Sequence, residues 1–439
     1  MTVDAQKNIR DLAEFVSASP TSFHAAREVA RRLGAVGFTE LHETNQWDST
    51  VAFNNHFVVR DGAVIAWAGG TGSTGSGYRI LGTHTDSPSL KVKPHSSLAS
   101  FGWNQIGVEI YGGPLLNSWL DRELRLAGRL TVHKGNELRD YLVCTGPIAR
   151  VPQLAIHLDR SANEGLTLDK QNNIYPVWST NATDNDVLGY ISQYAYNELG
   201  ERELINPADV VGYDLLFADS QEPRTFGAGD EFFASGRLDN LSSVHAGLTA
   251  LERFTASESA QNSEHTVMLA AFDHEEIGSG SRSGAAGPFL EDILVRLSNA
   301  RGESPEQYRR SLAHSVCLSA DAGHLVHPNY SAMHDVTNRP TAGNGPLLKI
   351  NANQRYATDS VGAGIFNMAC AKAGVPYQEF VSNNNVPCGS TIGPITATRL
   401  GVRTIDVGVG LLSMHSAREM CHVNDAAYLT RAVESFFLL

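Results

Sequence analysis

Glu275 and Glu276 stand side by side at the end of an apolar run, Val267-Met-Leu-Ala-Ala-Phe-Asp-His-Glu-Glu-Ile-Gly-Ser279. Two ionised carboxylates at the end of a buried strand repel each other unless a cation holds one of them. Four other segments carry side chains that bind cations. Gly82-Thr-His84-Thr-Asp86-Ser-Pro88 sets a histidine and an aspartate two residues apart. In an extended chain these share a face, so the carboxylate can orient the imidazole of a ligating histidine. Ser235-Gly-Arg-Leu-Asp239-Asn240 stands at the start of a helical pattern, and Leu318-Ser-Ala-Asp321-Ala-Gly-His324 and Leu412-Ser-Met-His415-Ser-Ala-Arg-Glu419 follow apolar runs. Each has an ordinary explanation when taken alone: a hydrogen-bonded His-x-Asp, a helix N-cap, a solvated pair of glutamates. Three such segments that each end a strand weaken that explanation jointly. Imidazoles and carboxylates meeting at one rim make a nitrogen–oxygen site that suits zinc, and a carboxylate can bridge two zinc ions. Adjacent glutamates can then divide the work, one ligating while the other takes a proton from the metal-bound water.

The elements that must position these side chains follow from periodicity. Residues 4–37 predict an amphipathic helix pair broken at Ser19-Pro20-Thr21-Ser22, and residues 51–68 a hairpin turning at Asp61-Gly62. Residues 78–84 read as a strand. Between roughly 95 and 225 short alternating runs separated by polar turns predict a β-rich insert. From about 230 strands and helices alternate: helices over 239–254, 288–298, 360–373 and 426–437, strands over 266–272, 316–320 and 404–409. Such alternation predicts an α/β core with a parallel or mixed central sheet, whose post-strand loops converge on one rim. The domain expectation is a discontinuous unit, 1–94 with 226–439, interrupted by 95–225. Gly70 to Gly75 match GxGxxG, but a strand follows where a nucleotide loop needs a helix.

Composition excludes several classes. The 439 residues carry a formal net charge of −13 and no basic run, against nucleic-acid or anionic-membrane partners. No apolar stretch approaches the ~20 residues of a membrane helix, and the N-terminus lacks a signal-peptide pattern. The five cysteines are scattered without CxxC, which fits a reducing, cytoplasmic setting and neither a disulfide framework nor a thiolate zinc site.

In this order the segments resemble the aspartyl aminopeptidase family of co-catalytic zinc peptidases. The resemblance rests on Gly-Thr-His-Thr-Asp-Ser-Pro, Ala-Ser-Gly-Arg-Leu-Asp-Asn-Leu, Phe-Asp-His-Glu-Glu-Ile-Gly-Ser, Ser-Ala-Asp-Ala-Gly-His and Ser-Met-His-Ser-Ala-Arg-Glu. Ala155-Ile-His157-Leu-Asp-Arg and Gly345-Pro-Leu-Leu-Lys349-Ile-Asn lie between them, so it covers nearly the whole chain. It implies a zinc-exopeptidase (phosphorylase/hydrolase-like) three-layer α/β core with a mixed central sheet and an inserted β-rich domain that makes dimer contacts. It also implies two zinc ions per subunit, dimers that build a tetrahedral dodecamer, and peptide substrates with N-terminal Asp or Glu. By the same resemblance His84 and Asp321 complete one zinc, Glu276 and His415 the other, and Asp239 bridges. Asp86 orients His84, Glu275 is the general base, and the Asp239–Asn240 peptide is expected to be cis.

An acidic first side chain needs a donor or cation. Lys349 and His324 are the candidates, because the resemblance places both near the substrate pocket; Lys349 also reads as an exposed lysine in a turn-to-strand segment, and Arg237 and Arg418 compete for the role. His157 lies in the insert, far in sequence from the rim. The resemblance brings it to the active site, from its own or a neighbouring subunit, as a substrate contact or an additional metal-side contact. Cys388 has no evident base, so its Gly-Ser-Thr turn reads as presenting backbone N–H groups. The alternatives are a dizinc amidohydrolase acting on an N-acyl group or C-terminal residue, and a peptide-binding protein on an inactive scaffold. An inactive scaffold typically loses the base or the bridging ligand, and Glu275 and Asp239 are both present.

Overall fold

The computed structural model describes residues 3–70, 72, 74–180, 185–197, 200–258 and 263–439. Thr71 and Ser73, inside the Gly70–Gly75 match, lie outside the described residues. The N-terminal helix pair forms as Val3–Ala18 and Ser22–Ala35, and the hairpin as His56–Arg60 and Ala63–Ala68, with Asp61 in the left-handed region at φ 56°.

A nine-stranded sheet runs in the order Thr39–Glu40, His56–Arg60, Ala63–Ala68, Thr266–Phe272, Tyr78–His84, Val316–Ala320, Arg403–Gly408, Leu347–Lys349, Gln378–Phe380. Thr266–Phe272, Tyr78–His84, Val316–Ala320 and Arg403–Gly408 are mutually parallel neighbours, flanked by antiparallel pairings. The sheet is therefore mixed, and both its faces are covered. Along Thr266–Phe272 the side chains of Val267, Leu269 and Ala271 pack with the helices Val3–Ala18, Ser22–Ala35, Leu238–Thr255, Ser360–Ala373 and Val423–Phe437. Met268, Ala270 and Phe272 pack on the opposite face, with Phe289–Ala300 and Ile392–Leu400. That alternation between two apolar layers is why these strands read as continuous apolar runs.

A second sheet of seven strands lies within residues 89–219, with its own core around Leu90, Ile106, Leu126, Val143, Leu215 and Phe217. Its strand Ser89–Ser100 follows His84 after four residues, so the sheet begins just ahead of the change in sequence texture at 95. Among the described residues the short helix Val187–Ile191, inside the β-rich stretch, and two longer helices escaped the sequence pattern. Pro305–Ala313 opens with a capping box from Ser304 and Gln307 and has proline in its first turn. Ile392–Leu400 contains Gly393, Pro394 and several β-branched residues, and is capped by Thr391. Among the described residues no helix is long and apolar enough to cross a membrane.

Candidate metal centre

The four central parallel strands deliver their C-terminal ends to one rim. His84 is the last residue of its strand, Glu275 and Glu276 form a short 3-10 turn just after Phe272, and Asp321 follows Ala320 directly. His415 comes after Leu411, beyond the strand Arg403–Gly408. Asp239 enters from a three-stranded sheet at the head of the helix Leu238–Thr255; it has non-helical dihedrals, and its peptide bond to Asn240 is cis.

Asp239 lies between two imidazoles. His84 Nε2 is 3.3 Å from its Oδ1 and His415 Nε2 is 3.3 Å from its Oδ2. His84 Nε2 is also 3.5 Å from Asp321 Oδ1, and His415 Nε2 is 3.5 Å from Glu276 Oε2. Glu275 Oε2 stands 4.0 Å from His84 Nε2. Donor atoms of His84, Asp239 and Glu276 lie within 4.8 Å of one another. His84, Asp86, Asp239 and Asp321 are all buried.

The other nitrogen of each ring is occupied. His84 Nδ1 donates to the Asp86 carbonyl (3.1 Å), and His415 Nδ1 donates to the Gly113 carbonyl (3.0 Å). A carbonyl can only accept, so each Nδ1 carries a proton, and Nε2 is the ring atom left facing Asp239. The Asp86 carboxylate accepts the backbone N–H groups of Glu275 (3.0 Å) and Glu276 (3.1 Å). It thereby holds the glutamate turn against the His84 strand.

Carboxylates crowd this site and shift its groups. Burial pushes Glu275 up to about 7, opposed by the neighbouring His84 and reinforced by Asp321, Asp239 and Asp86. Burial and Asp239 push Glu276 well above the ordinary carboxylate range. Burial alone would lower His84, but Asp239, Asp321 and Asp86 hold it well above its usual value; His415 is likewise raised to about 9 against burial, by Asp239. Burial would raise Asp239, and His415 and His84 hold it down. The cluster thus draws in positive charge. Asp239 Oδ1 and Glu276 Oε1 are buried and accept no hydrogen bond. Two carboxylate oxygens with no donor, beside the Nε2 atoms of two imidazoles, are a ligand set that fits zinc.

The substrate-side candidates lie nearby. Lys349 is 1% exposed, and its Nζ donates to the Ala322 carbonyl (2.7 Å) and sits 5.4 Å from the Tyr356 ring centre. Such burial sets aside its reading as an exposed turn lysine. His324 is exposed and lines a cavity of about 210 Å³ with Tyr356, Phe380, Cys388 and Gly389. The two competing arginines turn elsewhere. Arg237 donates to the Ser19 and Val16 carbonyls, and Arg418 to those of Gln221 and Glu222. His157 lies on an exposed turn flanked by exposed Leu154, Ile156 and Leu158. Among the described residues no hydrogen bond or ion pair joins it to the cluster.

Sequence reasoning passed over two side chains that hold the site. Glu419 is 2% exposed and accepts the backbone N–H groups of both Asp239 (2.9 Å) and His415 (2.7 Å). Tyr111 donates its hydroxyl to Asp86 (2.7 Å). Glu419 closes the same short segment as His415, which was the one signal available for it. Tyr111 carries none, because its partner Asp86 lies in the loop after another strand.

Residues 15–437 match the family described as Aminopeptidase I zinc metalloprotease (M18). A "Probable M18 family aminopeptidase 2" of Streptomyces avermitilis is 49% identical over 430 residues, covering 97% of this chain and 96% of that protein. A protein of the same description from Pseudomonas paraeruginosa is 43% identical over 431 residues, covering 97% of each. Among solved structures, a chain of the cryo-EM structure of the Ape4 and Nbr1 complex superposes with a TM-score of 0.94 at 36% identity, over 99% of this chain and 86% of that one. The S. cerevisiae mApe1 dodecamer gives 0.85 at 28% identity, over 99% and 96%.

Proposed function

Since the chain belongs to the aminopeptidase I zinc metalloprotease family M18, and is therefore a metalloaminopeptidase, we propose that it removes N-terminal Asp or Glu from peptides at a centre of two zinc ions per subunit. The observation that carries this reading is the position of Asp239, with one carboxylate oxygen 3.3 Å from each of two Nε2 atoms whose rings are both protonated at Nδ1. His84, Asp321 and Asp239 would hold one zinc, and Glu276, His415 and Asp239 the other. Zinc so held supplies a water nucleophile near neutral pH and polarises a carbonyl.

The chain's own residues do the rest. Asp86 keeps His84 in one tautomer and anchors the glutamate turn. Glu275, less enclosed than Glu276, takes the proton from the attacking water and passes it to the leaving amine. Its elevated carboxyl value suits a group that must gain and lose a proton near pH 7. Lys349 offers a buried ammonium beside the strand end that carries Asp321, a counter-charge for an acidic first side chain in a protein of net charge −13. The pocket with His324 on its wall is of a size for that side chain.

Residues 95–225 are proposed as a dimerisation domain inserted into a zinc-peptidase domain of 1–94 and 226–439. Likeness to a dodecameric aminopeptidase supports self-association into a tetrahedral dodecamer. The exposed turn of His157 supports its entering the site of a neighbouring subunit as a substrate contact or an additional metal-side contact. A cytoplasmic location is part of the same reading.

The test is hydrolysis of an N-terminal aspartyl peptide beside leucyl, lysyl and N-acetylaspartyl controls, with and without chelator. Aspartyl turnover should exceed both free-amine controls, and it should vanish with the chelator or with N-acetylation. Equal rates on the three free-amine peptides would remove the acidic preference; turnover that survives chelation would remove the zinc mechanism.

A further inference from the structure

The support of both candidate zinc imidazoles runs through a segment of the seven-stranded sheet. The strand Trp103–Tyr111 belongs to that sheet and pairs with Ser89–Ser100, with Tyr111 opposite Ser89. From its last residue the Tyr111 hydroxyl donates to Asp86 Oδ2 (2.7 Å), the oxygen that also accepts the Glu276 N–H. Two residues on, the Gly113 carbonyl accepts His415 Nδ1–H (3.0 Å), and Leu115 N–H donates to the His415 carbonyl (2.9 Å). Between them Gly112 adopts φ +71°, and a Cβ there would lie 3.1 Å from Glu276 Cβ. The segment is therefore pressed against the glutamate turn and tied to both imidazole systems.

We infer that Tyr111–Leu115 is an outer support of the metal centre contributed by the inserted sheet, with Tyr111 as a positioning residue that acts through Asp86 on His84 and on the Glu275–Glu276 turn. The inference rests on the zinc reading of the cluster and goes beyond it, because it gives the insert a task inside its own subunit. Tyr111 makes a specific polar contact as well as a packing one. An interior tyrosine needs a partner for its hydroxyl, but that partner need not be the carboxylate that also fixes two backbone N–H groups of the glutamate turn. Asp86 has two oxygens, each with one backbone donor, and Tyr111 adds a third donor whose loss leaves the carboxylate plane set by those two N–H groups alone and easier to rotate. His84 Nδ1, 3.5 Å from Asp86 Oδ1, would feel that rotation directly.

The experiment measures zinc affinity of the metal-stripped full chain by competition with a chromogenic chelator, in wild type, Tyr111→Phe, Asp86→Asn and the double variant. Partners of this kind typically alter metal affinity by about 10–100-fold. Tyr111→Phe should therefore bind zinc about tenfold or more weakly. The double variant should bind no more weakly than Asp86→Asn alone, because the tyrosine acts only through that carboxylate. Wild-type affinity in Tyr111→Phe, or additive losses in the double variant, would overturn the inference. A wild-type chain that takes up no zinc would instead overturn the zinc reading on which it rests.

Discussion

Glu275 and Glu276 share a peptide bond but not an environment. Glu276 has its side chain 4% exposed and close to His415, while Glu275 is 17% exposed and stands near His84. Their charges are tolerated only where a cation or proton offsets them, and burial has already raised both. Glu275→Gln keeps size and shape but cannot accept a proton; it should retain zinc, measured by metal analysis, and lose about 10²–10⁴-fold in kcat. Retained turnover would show that the base is misassigned. Lys349→Met preserves most of the buried volume and removes the ammonium. Its kcat/KM for an aspartyl peptide should fall about 10–100-fold, as for a lost charge-assisted hydrogen bond, with little change for a leucyl peptide. Equal losses on both substrates would make Lys349 a structural residue. The ligand-type residues were legible because His84, Glu275, Glu276, Asp321 and His415 follow apolar runs and Asp239 heads a helical pattern. Glu419 and Tyr111 were not, since Glu419 takes backbone N–H groups rather than a patterned side chain and the Asp86 partner of Tyr111 lies in another segment.

At the scale of elements, the N-terminal helix is held by charge as well as by apolar packing. Asp11 accepts from both Nη atoms of Arg32 (3.1 Å each) and lies 2.8 Å from His245 Nε2, while Arg32 also reaches Glu252. Three helices meet there: Val3–Ala18, Ser22–Ala35 and Leu238–Thr255. Burial would raise the Asp11 carboxyl, but His245 and Arg32 hold it below its usual range. A depressed carboxyl stabilises the fold above its unfolded value and loses that contribution as pH falls through about 4 toward the folded value. Asp11→Asn should therefore cost about 1 kcal/mol at pH 7, allowing for partial exposure, and the gap to wild type should close in acid. Urea midpoints of both proteins between pH 7 and pH 2 test this; a gap that stays constant with pH would assign the loss to packing. Gly247, in the helix Leu238–Thr255, faces Leu81 and Leu269 so closely that an added methyl would overlap both. Gly247→Ala should destabilise by about 1–3 kcal/mol, read from the same midpoints. The helices with clear apolar stripes were legible from spacing. Ile392–Leu400 was not, because its composition is poor for a helix and it forms where Thr391 caps it and Ile392 packs under the sheet.

At the scale of the molecule, the proposed assembly turns on the exposed segment that carries His157. Leu154, Ile156 and Leu158 are 62%, 48% and 74% exposed, three apolar side chains on one short turn. If a neighbouring subunit receives this turn, Leu158→Glu should dissociate the assembly and abolish turnover while leaving the zinc content of each subunit intact. Sedimentation and activity measured on the same fractions decide it; full activity in dissociated subunits would confine the site to one chain. The nine-stranded sheet organises everything else, because four parallel strands side by side bring their C-terminal ends to one rim whatever lies between them in sequence.

That topology separates what the chain states locally from what folding adds. Types and order of the ligand-class residues, their places at strand ends and the α/β alternation were present in sequence, because strand and helix periods are short-range and apolar runs mark buried strands. The contact of His415 Nδ1 with Gly113, the hold of Glu419 on the Asp239 backbone and the reach of Tyr111 into the cluster came only with the tertiary structure. Each depends on hydrogen bonds between segments many residues apart, and no local pattern records which carbonyl or carboxylate a folded chain will place beside a given ring.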